Sequence, residues 1–305
     1  MGKLALVFPG QGSQAVGMGV EMALKYESAA EVYQRADRSL GWNISDLSFS
    51  GPAEKLNLTE NAQPALYVNS LAAMAVLREK GIRADVVSGH SLGEYSALAA
   101  AGAVGFEEGL KLVRRRGEIM GRTAAERPGS MAAILGLEDR QVEEICSRTG
   151  RVWPVNYNSP GQLVVSGEAE AVQAAMQAAE DAGARKTVRL AVGGSFHSPL
   201  MQAASEEMEE LLKETRFAEP APPFLSSISC GYEGAAALAG LLTRQIVAPV
   251  RWRQAVEKLV ADGVDRFIEA GSGKVLCGLI KRISPDVAAV NVSDEASLKK
   301  AMATV

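Results

Sequence analysis

A chain of 305 residues, 47% hydrophobic and 22% charged, is long enough to bury a full core and too apolar to be disordered. Its net charge of -4 argues against a broad nucleic-acid footprint, and no apolar run reaches the about 18 residues of a membrane span. Three widely spaced cysteines, Cys146, Cys230 and Cys277, fit free thiols in a reducing, cytoplasmic setting, and two histidines without HxxxH spacing supply no zinc shell. The apolar run within Met1–Pro9 is too short for a signal peptide, and Leu6 stands where a myristoylation signal carries Ser or Thr.

Strand-like and helical runs alternate along the chain. Leu4–Phe8 reads as the first strand, and the region near Glu31 reads as helical. Pro64–Lys80 reads as an amphipathic helix closed by Gly81. A short buried strand, Asp85–Gly89, then turns into a helix over Leu92–Ala101, followed by a helix over Phe106–Arg122 and a break at Pro128-Gly129. The order then becomes strand Ser130–Leu135, helix Asp139–Arg148, strand Val152–Tyr157, strand Gln162–Ser166, helix Ala169–Ala182, strand Lys186–Val192, which is the βαββαβ of a ferredoxin-like unit. After Gly193-Gly194 come a helix near Ser198–Thr215, apolar Phe224–Ile228, helices around Ala235–Ile246 and Trp252–Ala261, strand Arg266–Glu269, and a last helix, strand and helix. The expectation is an α/β fold: a hydrolase-like parallel-sheet core from residues 1–127 and 195–305, with an inserted ferredoxin-like subdomain at 128–194.

Gly89-His-Ser-Leu-Gly93 is a GxSxG pentapeptide at a strand-to-helix turn, which makes Ser91 a candidate nucleophile. A serine hydroxyl needs a base. His90 adjoins Ser91, and its side chain is expected to point away from the hydroxyl, so His197 becomes the base by elimination; the competing view is a hydrogen-bonded structural histidine. Gly10, Gly12 and Ala15 fit a dinucleotide fingerprint in spacing only, because Pro9 intervenes and the region 20 residues on is helical; Gly271–Lys274 lacks a phosphate loop's first Gly and its Ser or Thr. A glycine-lined strand end can instead offer backbone N–H groups to an oxyanion. Arg114-Arg115-Arg116 lies on a helix, where consecutive residues diverge by about 100°. At most one of the three faces a given pocket, and the run taken alone reads as a solvated face.

Taken together, Phe8–Gln14, Thr59–Pro64, Gly89–Glu94, Arg116-Gly117, Asn156–Gln162, Ser195–Pro199, and Gln245 with Pro249–Trp252 resemble, in order and over nearly the whole chain, the malonyl-CoA:acyl-carrier-protein transacylases of fatty-acid synthesis. The resemblance implies ping-pong transfer of malonyl from malonyl-CoA to the phosphopantetheine thiol of acyl carrier protein, through a malonyl ester of Ser91 with His197 as base and no cofactor. It implies an oxyanion hole from the backbone N–H groups of Gln11 and Leu92, a carboxylate clamp at Arg116, and a backbone carbonyl at Gln245 that orients the histidine. Phe196 resembles the residue of malonyl-selective relatives and would crowd an α-methyl group. A monomer is implied, and an acidic carrier protein would meet a local basic patch, for which Lys186, Arg189 and Lys281-Arg282 are candidates. GxSxG alone also suits a serine esterase or thioesterase. A trans-acting polyketide malonyltransferase, the malonyltransferase of malonate decarboxylase and a non-catalytic acyl-CoA-binding relative share enough of the pattern to stay open.

Overall fold

The computed structural model describes residues 2–304. Its elements in chain order are β1 (Lys3–Phe8), helices α1 (Val20–Lys25), α2 (Glu27–Leu40), α3 (Ile44–Ser50), α4 (Ala53–Leu56) and α5 (Thr59–Glu79), then β2 (Val86–Gly89), α6 (Gly93–Ala100), α7 (Phe106–Glu126), β3 (Ser130–Leu135), α8 (Asp139–Thr149), β4 (Val152–Ser159), β5 (Gln162–Gly167), α9 (Ala169–Asp181) and β6 (Lys186–Arg189). A short 3-10 turn (Pro199–Met201) leads into α10 (Gln202–Glu214), β7 (Phe224–Leu225), α11 (Ala235–Gln245), α12 (Trp252–Ala261), β8 (Val264–Ala270), α13 (Val275–Ile283), β9 (Ala288–Val292) and α14 (Glu295–Thr304).

Two sheets result. Five parallel strands run in the order β7-β2-β1-β8-β9, and four antiparallel strands in the order β4-β5-β3-β6. β1 is buried from Leu4 to Phe8, the continuous apolar run of a strand covered on both faces. The chain passes from β1 to β2 and β7 on one side and from β8 to β9 on the other, so the switch point lies at the carboxyl ends of β1 and β8, and the loop after β2 emerges beside the loop after β1.

The antiparallel sheet uses the two-residue period of its strands. Ala132 and Ile134 face a core with Val142, Ile145 and Val172 of α8 and α9, whereas Met131 and Ala133 join the main core. β4 also meets the larger body directly, where the Tyr157 N–H donates to the Val250 carbonyl at 2.9 Å. That contact roofs the end of the parallel sheet with the antiparallel one.

Several element boundaries differ from the sequence expectation, among them the end of α7, which lies at Glu126 rather than Arg122. The α5 helix begins at Thr59, five residues before Pro64, because the Asn61 and Ala62 N–H groups already close a turn on the Leu58 carbonyl at 2.9 and 2.8 Å. It is buried over most of its length rather than on one stripe. The expected strand Lys186–Val192 ends at Arg189, and Leu190 and Val192 turn to line a cavity. Residues 20–56, which carried no assigned boundaries in sequence, form four helices.

Candidate active site

Ser91 follows β2 with φ 53°, and the Gly93 and Glu94 N–H groups donate to the carbonyls of His90 and Ser91 at 2.9 and 3.0 Å. Gly93 is obligatory there, since a Cβ would lie 2.0 Å from the Phe8 carbonyl oxygen. The elbow therefore packs against the end of β1 while lifting the hydroxyl out of the sheet. His197 also has positive φ, 62°, in a segment pinned by Ser198, whose hydroxyl donates to the Ser195 carbonyl at 2.7 Å. Only four non-glycine residues among those described have positive φ, and two of them face each other here.

The Ser91 Oγ to His197 Nε2 distance is 2.8 Å, and His197 Nδ1 lies 2.8 Å from the Gln245 carbonyl oxygen. Gln245 ends α11, where a helix carbonyl lacks an internal donor, so it accepts from Nδ1–H. That bond fixes the tautomer: Nε2 is unprotonated and accepts from the serine hydroxyl. Burial, then the Arg116 charge, lowers the His197 pKa to about 3. The imidazole is thus neutral across the physiological range and free to take a proton.

Helix α7 buries Gly109, Val113, Arg116, Met120 and Thr123, residues three or four apart, so Arg116 points inward with an apolar stripe. Arg114 and Arg115 lie off that stripe and pair with Glu118 at 2.7 and 2.6 Å. Arg116 is 1% exposed. Its Nη1 donates to Gln63 Oε1 at 2.7 Å, and its Nη2 donates to Gln245 Oε1 at 3.0 Å and to Ser91 Oγ at 3.1 Å. Gly117 lets α7 close on α5, because a Cβ would stand 2.7 Å from the Thr59 carbonyl; Gln63 reaches Arg116 across that contact. Burial lowers the guanidinium pKa, the cost of an interior cation without a carboxylate in direct contact.

A cavity of about 80 Å³ opens beside the serine, lined by Gln11, Arg116, Met131, Leu190, Phe196 and His197 among others. Gln11 Nε2 donates to Thr59 Oγ1 at 3.1 Å, which holds the loop after β1 beside the elbow. Leu92 is the residue before α6, and its backbone N–H and that of Gln11 donate to no other group among the described residues. Phe196 is buried against the same cavity. His90 also borders the cavity but does not hold the serine hydroxyl: its Nε2 lies 3.0 Å from Asn158 Oδ1 on β4, and its ring is 5.9 Å from that of Trp252. The hollow of about 190 Å³ near Leu6, Met74 and Arg78, at the opposite end of the strands, contains neither nucleophile nor base.

The chain matches the acyl transferase domain family over residues 5–296. It is 40% identical over 310 residues to the malonyl CoA-acyl carrier protein transacylase of Bacillus subtilis, covering 100% of this chain and 98% of that one. The chain belongs to the malonyl CoA-acyl carrier protein transacylase family. Among solved structures, a malonyl-transacylase in complex with a type II PKS acyl-carrier protein superposes with a TM-score of 0.97 at 39% identity, covering 99% of this chain and 100% of that one. The acyl-carrier-protein-S-malonyltransferase of Bartonella henselae gives 0.95 at 40%, covering 99% of each.

Two members of this transacylase's site escaped the sequence reading. Gln63 lies inside the Thr59–Pro64 stretch and Glu94 closes the Gly89–Glu94 stretch, so both stood within distinctive segments while carrying no stated chemistry. Glu94 is fully buried and accepts from Ser226 Oγ at 2.9 Å, Ser227 N at 2.6 Å, Ser227 Oγ at 3.0 Å and Gln245 Nε2 at 2.6 Å. The side chain of Gln245, as well as its carbonyl, is engaged: Nε2 also donates to the Ser91 carbonyl at 3.0 Å.

Proposed function

We propose that the protein transfers a malonyl group from malonyl-CoA to the phosphopantetheine thiol of an acyl carrier protein. The observation that carries the reading is the Arg116 guanidinium 3.1 Å from the nucleophile's oxygen, a buried cation where an acyl group would sit. A cation there suits an acyl group that ends in a carboxylate, which a forked guanidinium holds by two hydrogen bonds. Ser91 Oγ attacks the thioester carbonyl while its proton passes to His197 Nε2. The developing oxyanion is met by the Gln11 and Leu92 backbone N–H groups. The C–S bond breaks, the CoA sulfur leaves with the proton from His197, and malonyl-serine remains. The carrier thiol then gives its proton to His197 and attacks the ester, and Ser91 Oγ leaves as it regains that proton.

Mass spectrometry after mixing with malonyl-CoA tests the reading. A malonyl adduct on Ser91 that persists in water and is discharged by the carrier protein's thiol is expected. Rapid hydrolysis without thiol transfer would instead establish a thioesterase. Phe196 supplies a second measurement: Phe196→Val is expected to raise methylmalonyl over malonyl turnover about tenfold, the scale of making room for one methyl group. An unchanged ratio removes Phe196 from substrate selection.

The carrier protein would approach over the antiparallel roof. There Lys186 is exposed, whereas Arg189 donates to Gln173 at 2.8 Å and Arg282 to Gln162 at 2.6 Å. Lys281 is drawn to the Val287 carbonyl in the loop after its own helix, which leaves Lys186 as the better carrier contact. We take residues 128–194 as the inserted subdomain, the protein as a monomer, and its compartment as the cytoplasm, a reducing setting suited to three free cysteines. No helix among the described residues is long and apolar enough to cross a membrane.

A further inference from the structure

Gln245 stands between two groups that can each make only one kind of hydrogen bond. Arg116 only donates, and it gives Nη2–H to Gln245 Oε1. Around Glu94, the Ser227 N–H and Gln245 Nε2 can only donate and the Ser226 and Ser227 hydroxyls are placed to do so, and these bonds favour the ionised carboxylate against the burial that raises its pKa. The amide therefore has one orientation. In it, Nε2 also holds the Ser91 carbonyl at 3.0 Å, while the backbone carbonyl of the same residue holds His197 at 2.8 Å.

The arrangement also balances charge. Arg116 is a buried cation, and Glu94 is the carboxylate nearest to it through a chain of hydrogen bonds, one amide away. A direct ion pair would compensate the cation but quench the guanidinium that a substrate carboxylate needs. Separation by one amide keeps a compensating charge within reach without placing a carboxylate on the guanidinium itself.

We propose that Glu94 is a positioning residue that acts through Gln245, locking the amide that aims Arg116 at the acyl pocket and anchors the Ser91–His197 pair. Gln at position 94 has nearly the same shape but offers both donor and acceptor. The glutamine of Glu94→Gln can turn its own NH2 toward Gln245, so the charged acceptor that holds Nε2 is lost and only Arg116 and the Ser91 carbonyl are left to hold the amide.

The test is Glu94→Gln, measured in two ways. The first needs no acyl donor: the rate at which an arylsulfonyl fluoride modifies Ser91, where Oγ displaces fluoride from sulfur and gives its proton to His197. Slowing of roughly tenfold or more is expected from loss of alignment. The second rests on the malonyl reading above: the preference of acylation for malonyl-CoA over acetyl-CoA is expected to fall by roughly tenfold, because acetyl does not use Arg116. An unchanged sulfonylation rate overturns the proposal, and so does equal slowing with both acyl donors, which is what general loosening of the fold would give. A parent protein that forms no malonyl-serine ends the functional reading, while the sulfonylation comparison still decides the role of Glu94. If Glu94→Gln does not fold, Glu94→Asp carries the same comparison, since it keeps the charge but falls one methylene short of Gln245.

Discussion

His197→Asn is expected to slow formation of malonyl-serine by about 10⁴- to 10⁶-fold, the loss seen when one member of a nucleophile–base pair is removed. Asn suits the position, because His197 has φ 62° and Asn tolerates the left-handed region better than Ala does. The fold should persist, so the loss is chemical: an amide cannot take the proton from Ser91 Oγ. The two residues act as one unit across 2.8 Å, so adding Ser91→Ala is expected to cost little more than either change alone. Stopped mass-spectrometric sampling of the adduct measures the rate. A decrease of less than about tenfold would exclude His197 as the base.

The same geometry sets the pH dependence. A neutral carbonyl rather than a carboxylate holds His197 Nδ1, so no partner charge offsets the burial and the Arg116 field that lower its pKa to about 3. Protonated His197 is the inactive form in acylation, so the acid limb of kcat/KM should lie well below the 6.5 of an ordinary imidazole. When a substrate carboxylate neutralises Arg116, that part of the lowering is relieved. The acid limb of kcat, which reports the bound enzyme, should therefore lie above the limb of kcat/KM.

How much of this was legible in the sequence depends on how local each cause is. The elbow was visible because a strand, two glycines and a helix needed only a few residues, and the βαββαβ order showed because its turns and periods are short-range. The three-arginine run was ambiguous: the helix argument allowed one inward residue without saying which. The Arg116-Gly117 resemblance named the third arginine, and the register of the buried stripe on α7, packed against α5, supplies the physical reason. Gln63 and Glu94 were illegible for a related reason. A buried Gln or Glu has meaning only through partners 53 and 151 residues away, and no spacing rule connects them. Residues 20–56 and the start of α5 show the limit of local rules from the other side. Pro64 reads as a helix start until tertiary burial lengthens the helix through it.

Arg116→Ala is expected to lower kcat/KM for malonyl-CoA by about 10²- to 10⁴-fold, the range for removing one partner of a buried, hydrogen-bonded charge pair. Acetyl-CoA should lose far less, since its acyl group brings no carboxylate to be left unpaired. Arg116→Lys should fall between the two, because a point charge on a flexible stem replaces a fork already held by Gln63 and Gln245. The change has a second signature that mere loss of binding lacks. Arg116 is the largest charge lowering the His197 pKa, so its removal should move the acid limb of acetyl transfer upward, toward the ordinary imidazole range. Parallel losses for malonyl and acetyl with an unmoved acid limb would mean that Arg116 braces the pocket rather than binding a carboxylate. A reversed donor preference together with a raised limb would place one guanidinium in both roles, as the clamp for the substrate's charge and the field that keeps the catalytic imidazole neutral.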